Sequence, residues 1–564
     1  MGIDDFLRKT IIQAVKDRLG IEIEQGSFKV EVPPEKQPGQ YGTNAGFVLA
    51  KQAGKNPFEI AGEIAAALKD NEYIKDVQAI KPGYTNWSMS NDFYKRELHR
   101  LCEEKDYFNN DSGKGIKVNI EFVSANPVGP LNVVSGRAGA YGDALSNIYE
   151  ASGYEVTREN YVNDHGRQMK LFAQSLRERY YELHKIKKAE IPEDGYMGDY
   201  VADIAKQVDV DRENALEEIK AAREMKQEHD VNDYFRVYGR EYVKNWQATT
   251  LKNFGVEFDT WFSEEDLYKP GAGGKNDVER AVEKIRSAGH LYEKEGAEWF
   301  ETTKFGDDKD RVVKKSDGEY TYFASDMAYI ENKMNRGAEI LINILGPDHH
   351  GYVKRLEAIV QALGYPADRI TVIILQQVNM IDKGKKKKMS KRKGDIILLD
   401  GLLSDVGADA ARYYFLMRNY NSHLDFDIEL AKEQSDKNPV YYVQYAHARV
   451  CNIFEHAKGK VRFIEDYGLD EIDFSDLLEE EIILIKAILA VPGVIKEATV
   501  KQSPSLLVQS IYDLVSVFHS FYNKCRVVTD DKRLTLRRLY IMRALKTTLR
   551  RCFKIIGISA PERM

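Results

Sequence analysis

Cysteine is scarce. Only Cys102, Cys451, Cys525 and Cys552 occur in 564 residues, far apart and with no Cys-x-x-Cys pair. That spacing offers neither a zinc knuckle nor a disulfide framework, and a reducing cytoplasm is the expected compartment. Proline is sparse too, at 15, which with a hydrophobic content of 43% excludes a disordered, collagen-like or linker-dominated chain. No apolar run reaches the ~18 residues of a membrane-spanning helix, so no membrane association is expected. The start, Met1 to Leu19, mixes charges with Leu7, Ile11, Ile12, Val15 and Leu19 at helical spacing. It predicts an amphipathic helix rather than a signal peptide. Internal repeats are absent. A surplus of positive charge is also missing: the formal net charge is −7, which alone argues against a nucleic-acid partner.

What is present implies several domains, since one core rarely serves more than ~250 residues. Residues 1–108 read as a small α/β unit. It has an opening helix, a strand at Ser27 to Val32 stopped by Pro33-Pro34, a helix carrying Ile60, Ile64 and Leu68, and an alternating strand at Tyr84 to Met89. Residues 114–428 open with the apolar run Lys117 to Val123, a Gly/Pro turn and a small-residue helix from about Gly136 to Ala151. Strand, glycine turn and helix in that order begin a Rossmann-like, doubly wound α/β domain. Further strands are expected at Glu155 to Tyr161, Ile340 to Leu345 and Arg369 to Leu375. The charged, helical span of about 170–304 reads as an insertion. Residues 429–564 carry helical stripes such as Leu545, Leu549 and Phe553, predicting an all-α bundle.

Eight of the eleven residues from Lys383 to Lys393 are basic. An arbitrary lysine cluster is most often a solvated charge run. Here it encloses the ordered core Lys388-Met389-Ser390-Lys391, and a loop with two lysines can close on a triphosphate and neutralise charge on departing pyrophosphate. Gly271 to Asn276 is glycine-rich but lacks P-loop spacing. His423, His447 and His456 form no metal-type constellation, and the pair His349-His350 has no third ligand at sensible spacing.

The lysine run resembles the KMSKS loop of class I aminoacyl-tRNA synthetases. The partner HIGH-type motif is expected at the first strand-to-helix turn, where Ala125-Asn126-Pro127-Val128-Gly129-Pro130-Leu131-Asn132-Val133-Val134-Ser135 stands. Its Asn-Pro-x-Gly-Pro-Leu frame matches. Asn132 and Ser135 occupy the places where the family usually shows two histidines. Glu121 to Pro127, Tyr161 to Gln168, Tyr322 to Asp326 and Asn438 to Arg449 together resemble arginyl-tRNA synthetases over essentially the whole chain.

The resemblance implies an arginine–tRNA ligase using ATP with Mg2+, with tRNA(Arg) and L-arginine as partners, no permanently bound cofactor and a monomeric form. It implies catalysis around Asn132, Ser135, Lys388 and Lys391. An arginine pocket is implied from Glu121, Ser124, Asn126, Tyr322 and Asp326, with Asp164 and Gln168 as further wall. A guanidinium needs fixed acceptors and an apolar or aromatic wall, and Tyr322 and Asp326 share a face if helical. ATP is expected at Gly346, Asp348, His349, His350, Val378, Met389 and Ser390.

The tRNA is expected at Tyr84 and Asn86 at one end, and at Tyr441, Tyr445, Arg449 and Met564 at the other, with Trp87 in the core. Arg533, Arg537, Arg538, Arg543, Lys546, Arg550, Arg551 and Lys554 read as a phosphate-binding helical face. From Asp531 to Met564 there are ten Lys and Arg against two Asp and Glu, a local charge of +8 that leaves −15 for the remainder. A rival reading is a non-catalytic RNA-binding paralogue; another is an enzyme that adenylates a different small molecule.

Overall fold

The computed structural model describes residues 3–34, 36–212, 214–224, 228–271, 273–386, 397–462 and 464–564. Contacts divide the chain into two compact units: Met1–Ser112 with Ala151–Gly153 and Ser435–Met564, and Gly113–Glu150 with Tyr154–Gln434.

In the first unit, the opening helix Ile3–Leu19 buries Leu7, Ile11 and Val15. The helix Pro57–Leu68 starts where local chemistry dictates. Asn56 accepts from the Phe58 amide, Glu59 reaches back to the Asn56 amide, and Pro57 supplies a preset φ, a combination worth about 1 kcal/mol. It buries Ile60, Ile64 and Leu68 against an antiparallel sheet ordered Val30–Glu31, Tyr41–Thr43, Tyr84–Met89, Ile74–Ile80. The strands Tyr41–Thr43 and Ile74–Ile80 were not expected from the sequence. The C-terminal helices Pro439–Ala457, Glu479–Val500, Pro504–Lys524 and Lys532–Ile556 form a bundle. The last is capped by Asp531, whose carboxylate accepts from the Arg533 and Leu534 amides, and ends at left-handed Gly557. Leu545, Leu549 and Phe553 are fully buried in it.

The second unit is built on a five-stranded, wholly parallel sheet. Its order is Ile370–Ile374, Ile340–Leu345, Lys117–Glu121, Glu155–Val162, Thr260–Ser263. All four strands expected from the sequence take part. The fifth, Thr260–Ser263, lies within the 170–304 span, so that span is not wholly external to the sheet. Helices Arg167–Leu183, Asp199–Asp211, Ala215–Glu224 and Glu228–Asn253 precede the fifth strand and share an apolar cluster that includes Phe172, Leu176, Ile204 and Phe235. After it come the strands Leu291–Lys294, Ala297–Phe300 and Arg311–Lys314, a small antiparallel sheet. From Lys117–Glu121 the chain moves one way to Glu155–Val162, then returns to Ile340–Leu345 on the other side. The resulting switch point, at the carboxyl ends of these strands, is where open α/β sheets take ligands.

Candidate active site

At the switch point the strand Lys117–Glu121 ends in two consecutive left-handed residues, Val123 at φ 69° and Ser124 at φ 42°. For a β-branched valine this conformation is strained, and such strain concentrates at functional turns. It lets the Ser124 hydroxyl donate to Glu121 Oε1 at 3.0 Å, and Asn126 Nδ2 donates to Gln168 Oε1 at 2.5 Å. The turn then enters the helix Val133–Ala151. Asn132 caps that helix: its Oδ1 accepts from the Val134 amide at 2.9 Å and the Ser135 amide at 3.1 Å. Thus the first of the two residues replacing histidine has its oxygen committed to the helix, and its amide nitrogen is the donor left to act. Arg137, fully buried one turn on, donates to the carbonyls of Gln376, Asn419 and Ser422. Burial lowers its guanidinium to about 10.

Acidic side chains converge beside this turn. Tyr322 and Asp326 occupy the first turns of the helix Tyr322–Asn335, so the anticipated helical spacing is present. Tyr322 is exposed, and its hydroxyl oxygen lies only 2.7 Å from where a Cβ on Gly166 would stand, so the ring closes over that glycine turn. Burial, then the charges of Glu264 and Glu121, raise Asp326 to about 8 against the opposing pull of Arg355 and Lys333. Burial and Asp164 raise Glu264 to about 7, although hydrogen bonds from Ser325 and Tyr161 oppose this.

Glu121 is different. The charged nitrogen it holds is internal: buried Lys333 donates to its Oε2 at 2.5 Å, and Asn343 donates at 3.0 Å. Both of its oxygens are thus bonded within the fold, Oε1 by Ser124 and Oε2 by Lys333 and Asn343. Asp164 is likewise spoken for, accepting from the Ser263 hydroxyl at 2.7 Å and the Glu265 amide at 3.1 Å. Glu264 and Lys333 were missed from the sequence. Glu264 directly follows the unrecognised strand Thr260–Ser263, and its place at a strand's carboxyl end was the available signal.

On the other side of the switch point, Gly346 ends the strand Ile340–Leu345 and begins the 3-10 turn Pro347–Tyr352. Asp348, His349 and His350 are all exposed on it. Val378 opens the strand Val378–Asp382 with its side chain buried. That strand pairs with Lys385–Lys386, leading into the lysine run. Lys388, Met389, Ser390 and Lys391 lie outside the described residues. Beyond them the chain returns to the signature turn. The Val133 amide donates to Ile397 O at 3.2 Å, the Leu399 amide donates to Leu131 O at 2.9 Å, and Asn132 bridges Leu398. Among the described residues no group of three or more His, Cys, Asp and Glu is placed to hold a metal.

The residues expected to touch RNA divide in the first unit. Tyr84 is half-buried, its ring edge-on to half-exposed Phe47 at 5.0 Å. Asn86 is buried, and its Nδ2 donates to Pro38 O at 3.0 Å and Gln37 Oε1 at 3.3 Å. It holds the preceding loop. Trp87 is buried as expected.

Tyr441 and Tyr445 stack at 5.9 Å, and the Arg449 guanidinium lies 4.8 Å over Tyr445 and 5.0 Å over exposed Tyr522. Met564 ends an exposed tail that is tied down by Gln444, which donates to Ser559 O at 3.0 Å, and by His447, whose Nδ1 lies 2.8 Å from Pro561 O. The basic face of the last helix is largely consumed internally. Buried Arg537 and Arg538 pair with buried Glu481, Arg533 with Asp473, Arg543 with Glu103, and Arg551 donates to Asn109. Arg550 and Lys554 are the exposed cations of its final turns.

Comparison with known proteins agrees along the whole chain. The family described as "tRNA synthetases class I (R), catalytic domain" matches residues 97–451, "Arginyl tRNA synthetase N terminal domain" matches 5–89, and "DALR anticodon binding domain" matches 443–564. The chain is 40% identical over 567 residues to an arginine–tRNA ligase of Bacillus pumilus, covering 100% of this chain and 99% of that one. It is 40% identical over 591 residues to its counterpart in Aquifex aeolicus, covering 99% and 100%. The solved Thermus thermophilus arginyl-tRNA synthetase superposes with a TM-score of 0.76 at 23% identity over the full length of both chains. With that frame, that turn and that acidic pocket, the chain belongs to the class I arginyl-tRNA synthetase family.

Proposed function

We infer that the chain is an arginine–tRNA ligase, which activates L-arginine with ATP and transfers it to tRNA(Arg). A carboxylate oxygen of arginine attacks the α-phosphorus of ATP; the new oxygen–phosphorus bond forms as pyrophosphate leaves. A ribose hydroxyl of the terminal adenosine then attacks the arginyl carbonyl, its proton leaves, and AMP departs. Neither step needs a covalent bond to the protein, so catalysis rests on positioning and charge.

The observation that carries this reading is the anionic cleft. Burial raises both acids, Asp326 to about 8 with the added charges of Glu264 and Glu121, and Glu264 to about 7 with that of Asp164, while Lys333 is already paired with Glu121. A guanidinium bound beside them offsets this cluster of acids with planar donors suited to carboxylates. Tyr322 covers the pocket, and Ser124 and Asn126 line its entry from the turn. Across the switch point Asp348 accepts from the ATP ribose, with Gly346, His349, His350 and Val378 around the nucleotide. The amino end of the helix Val133–Ala151, with the Asn132 amide and the Ser135 hydroxyl, faces phosphate oxygens, and helix dipoles favour anions there. Asn132 and Ser135 bring no positive charge, so Lys388 and Lys391, flanking Met389 and Ser390, supply the stabilisation of departing pyrophosphate. Mg2+ enters as the ATP complex, held by phosphates and water. Tyr84, Tyr441, Tyr445, Arg449 and Met564 contact tRNA. The protein works as a cytoplasmic monomer.

Arginine-dependent exchange between ATP and pyrophosphate, with and without tRNA(Arg), tests the reading alongside aminoacylation. Exchange and charging are expected. Absence of both while tRNA still binds would instead identify a non-catalytic paralogue. Separate Lys388→Ala and Lys391→Ala variants are expected to slow adenylate formation, and unchanged rates in both would remove the lysines from the mechanism.

A further inference from the structure

The signature turn is held by side chains that do not belong to the parallel sheet. The insertion helix Glu228–Asn253 carries Trp246 and Gln247 in succession. Gln247 is 4% exposed, and its amide nitrogen donates to two main-chain carbonyls of the turn, Gly129 O at 2.8 Å and Asn126 O at 3.1 Å. A buried amide costs stability unless its donors are met, and here both carbonyls belong to the signature turn. The Trp246 indole N–H donates to Asp400 Oδ2 at 3.0 Å, in the first turn of the helix Leu399–Val406 that follows the lysine run. A neighbouring insertion residue, Tyr200, donates its hydroxyl to Val128 O at 2.8 Å. A Cβ on Gly129 would meet that hydroxyl at 3.0 Å, so the turn seats directly on it.

The two segments held in this way are the ones already stitched together by the Val133 and Leu399 amides. Adjacent residues on a helix point about 100° apart, so one corner of the insertion helix can reach both segments.

We propose that Gln247 and Trp246 are positioning residues for adenylate formation. They clamp the signature turn to the segment Ile397–Asp400, and so keep the phosphate-facing helix end in register with the chain leaving the lysine run. This rests on the reading of the cleft as the ATP site. The insertion then acts as a brace for the nucleotide loops, and misplacing such loops by about 1 Å can cost a hundredfold in rate.

Gln247→Met and Trp246→Phe, in the full-length chain, delete the donors while keeping bulk. In both variants arginine affinity, measured by calorimetry, is expected to stay within about twofold of the parent, and the exchange kcat to fall at least about tenfold with little change in the KM for arginine. Hydrogen exchange of the Val133 and Leu399 amides should quicken. Because both residues act on one joint, the double variant should be no more than about twofold worse than the worse single one. An exchange kcat within about twofold of the parent in both variants would overturn the clamp. Should the parent show neither exchange nor charging with tRNA(Arg) present, the ligase reading fails, and amide protection alone then decides the clamp: quickened hydrogen exchange upholds it, unaltered protection overturns it.

Discussion

Asp326 and Glu264 show how buried acids gathered at a strand end define a site. Each is buried beside other carboxylates, Asp326 by Glu264 and Glu121 and Glu264 by Asp164, and burial together with that charge favours the protonated acid. Arginine binding should ionise them, so protons are released on binding and affinity rises with pH between about 6 and 9. Calorimetry in buffers of different ionisation enthalpy measures that release, and a pH-independent affinity would count against the pocket. The stability sign also follows. Both folded values, about 8 and about 7, lie above the ordinary carboxylate range, so the folded chain binds more protons than the unfolded one. Stability without arginine therefore falls as pH climbs from about 4 to 8. Asp326→Asn should flatten that Tm profile and raise the KM for arginine by about ten- to a hundredfold, the range for losing one charged hydrogen bond. Asn86, buried and bonded to the Gln37–Pro38 loop, has a structural part as well: Asn86→Ala should cost about 1–3 kcal/mol of stability by stranding buried acceptors.

At the scale of elements, the helix Val133–Ala151 carries two demands at one end. Its first amides need an acceptor, which Asn132 Oδ1 provides, and its amino terminus must remain attractive to phosphate. Asn132→Ala should destabilise the protein by about 0.5–2 kcal/mol through loss of the cap. Asn132→Asp separates the two demands. An aspartate caps as well and adds about 0.3–1 kcal/mol by facing the helix dipole. It also places a negative charge against ATP, so exchange should fall at least about tenfold while Tm holds or rises. Equal activity in the aspartate variant would show that no phosphate approaches this helix end.

For the molecule as a whole, charge is spent in places that composition does not reveal. The last helix looked like an RNA-binding face, yet Arg537 and Arg538 are buried with Glu481. Glu481→Gln should cost about 3–5 kcal/mol, read as a lower urea midpoint, because two guanidinium groups are left buried without their anion.

What the sequence by itself determined is local in origin. Apolar runs and a glycine turn marked four of the five parallel strands, and the spacing of Leu545, Leu549 and Phe553 marked a buried helical stripe. The Asn-Pro-x-Gly-Pro-Leu turn and the Lys-Met-Ser-Lys core pointed to the ligand end of the sheet. Tyr322 and Asp326 were legible through the family resemblance, and their i, i+4 spacing puts both on one face of the helix Tyr322–Asn335. The tertiary structure decided the pairings between residues far apart in the chain: Lys333 with Glu121, Trp246 with Asp400, Glu481 with Arg538. It also decided which acids are buried among other acids. Periodicity is set by neighbours within a few residues, whereas desolvation and charge pairing depend on which distant side chains the fold places within hydrogen-bonding reach.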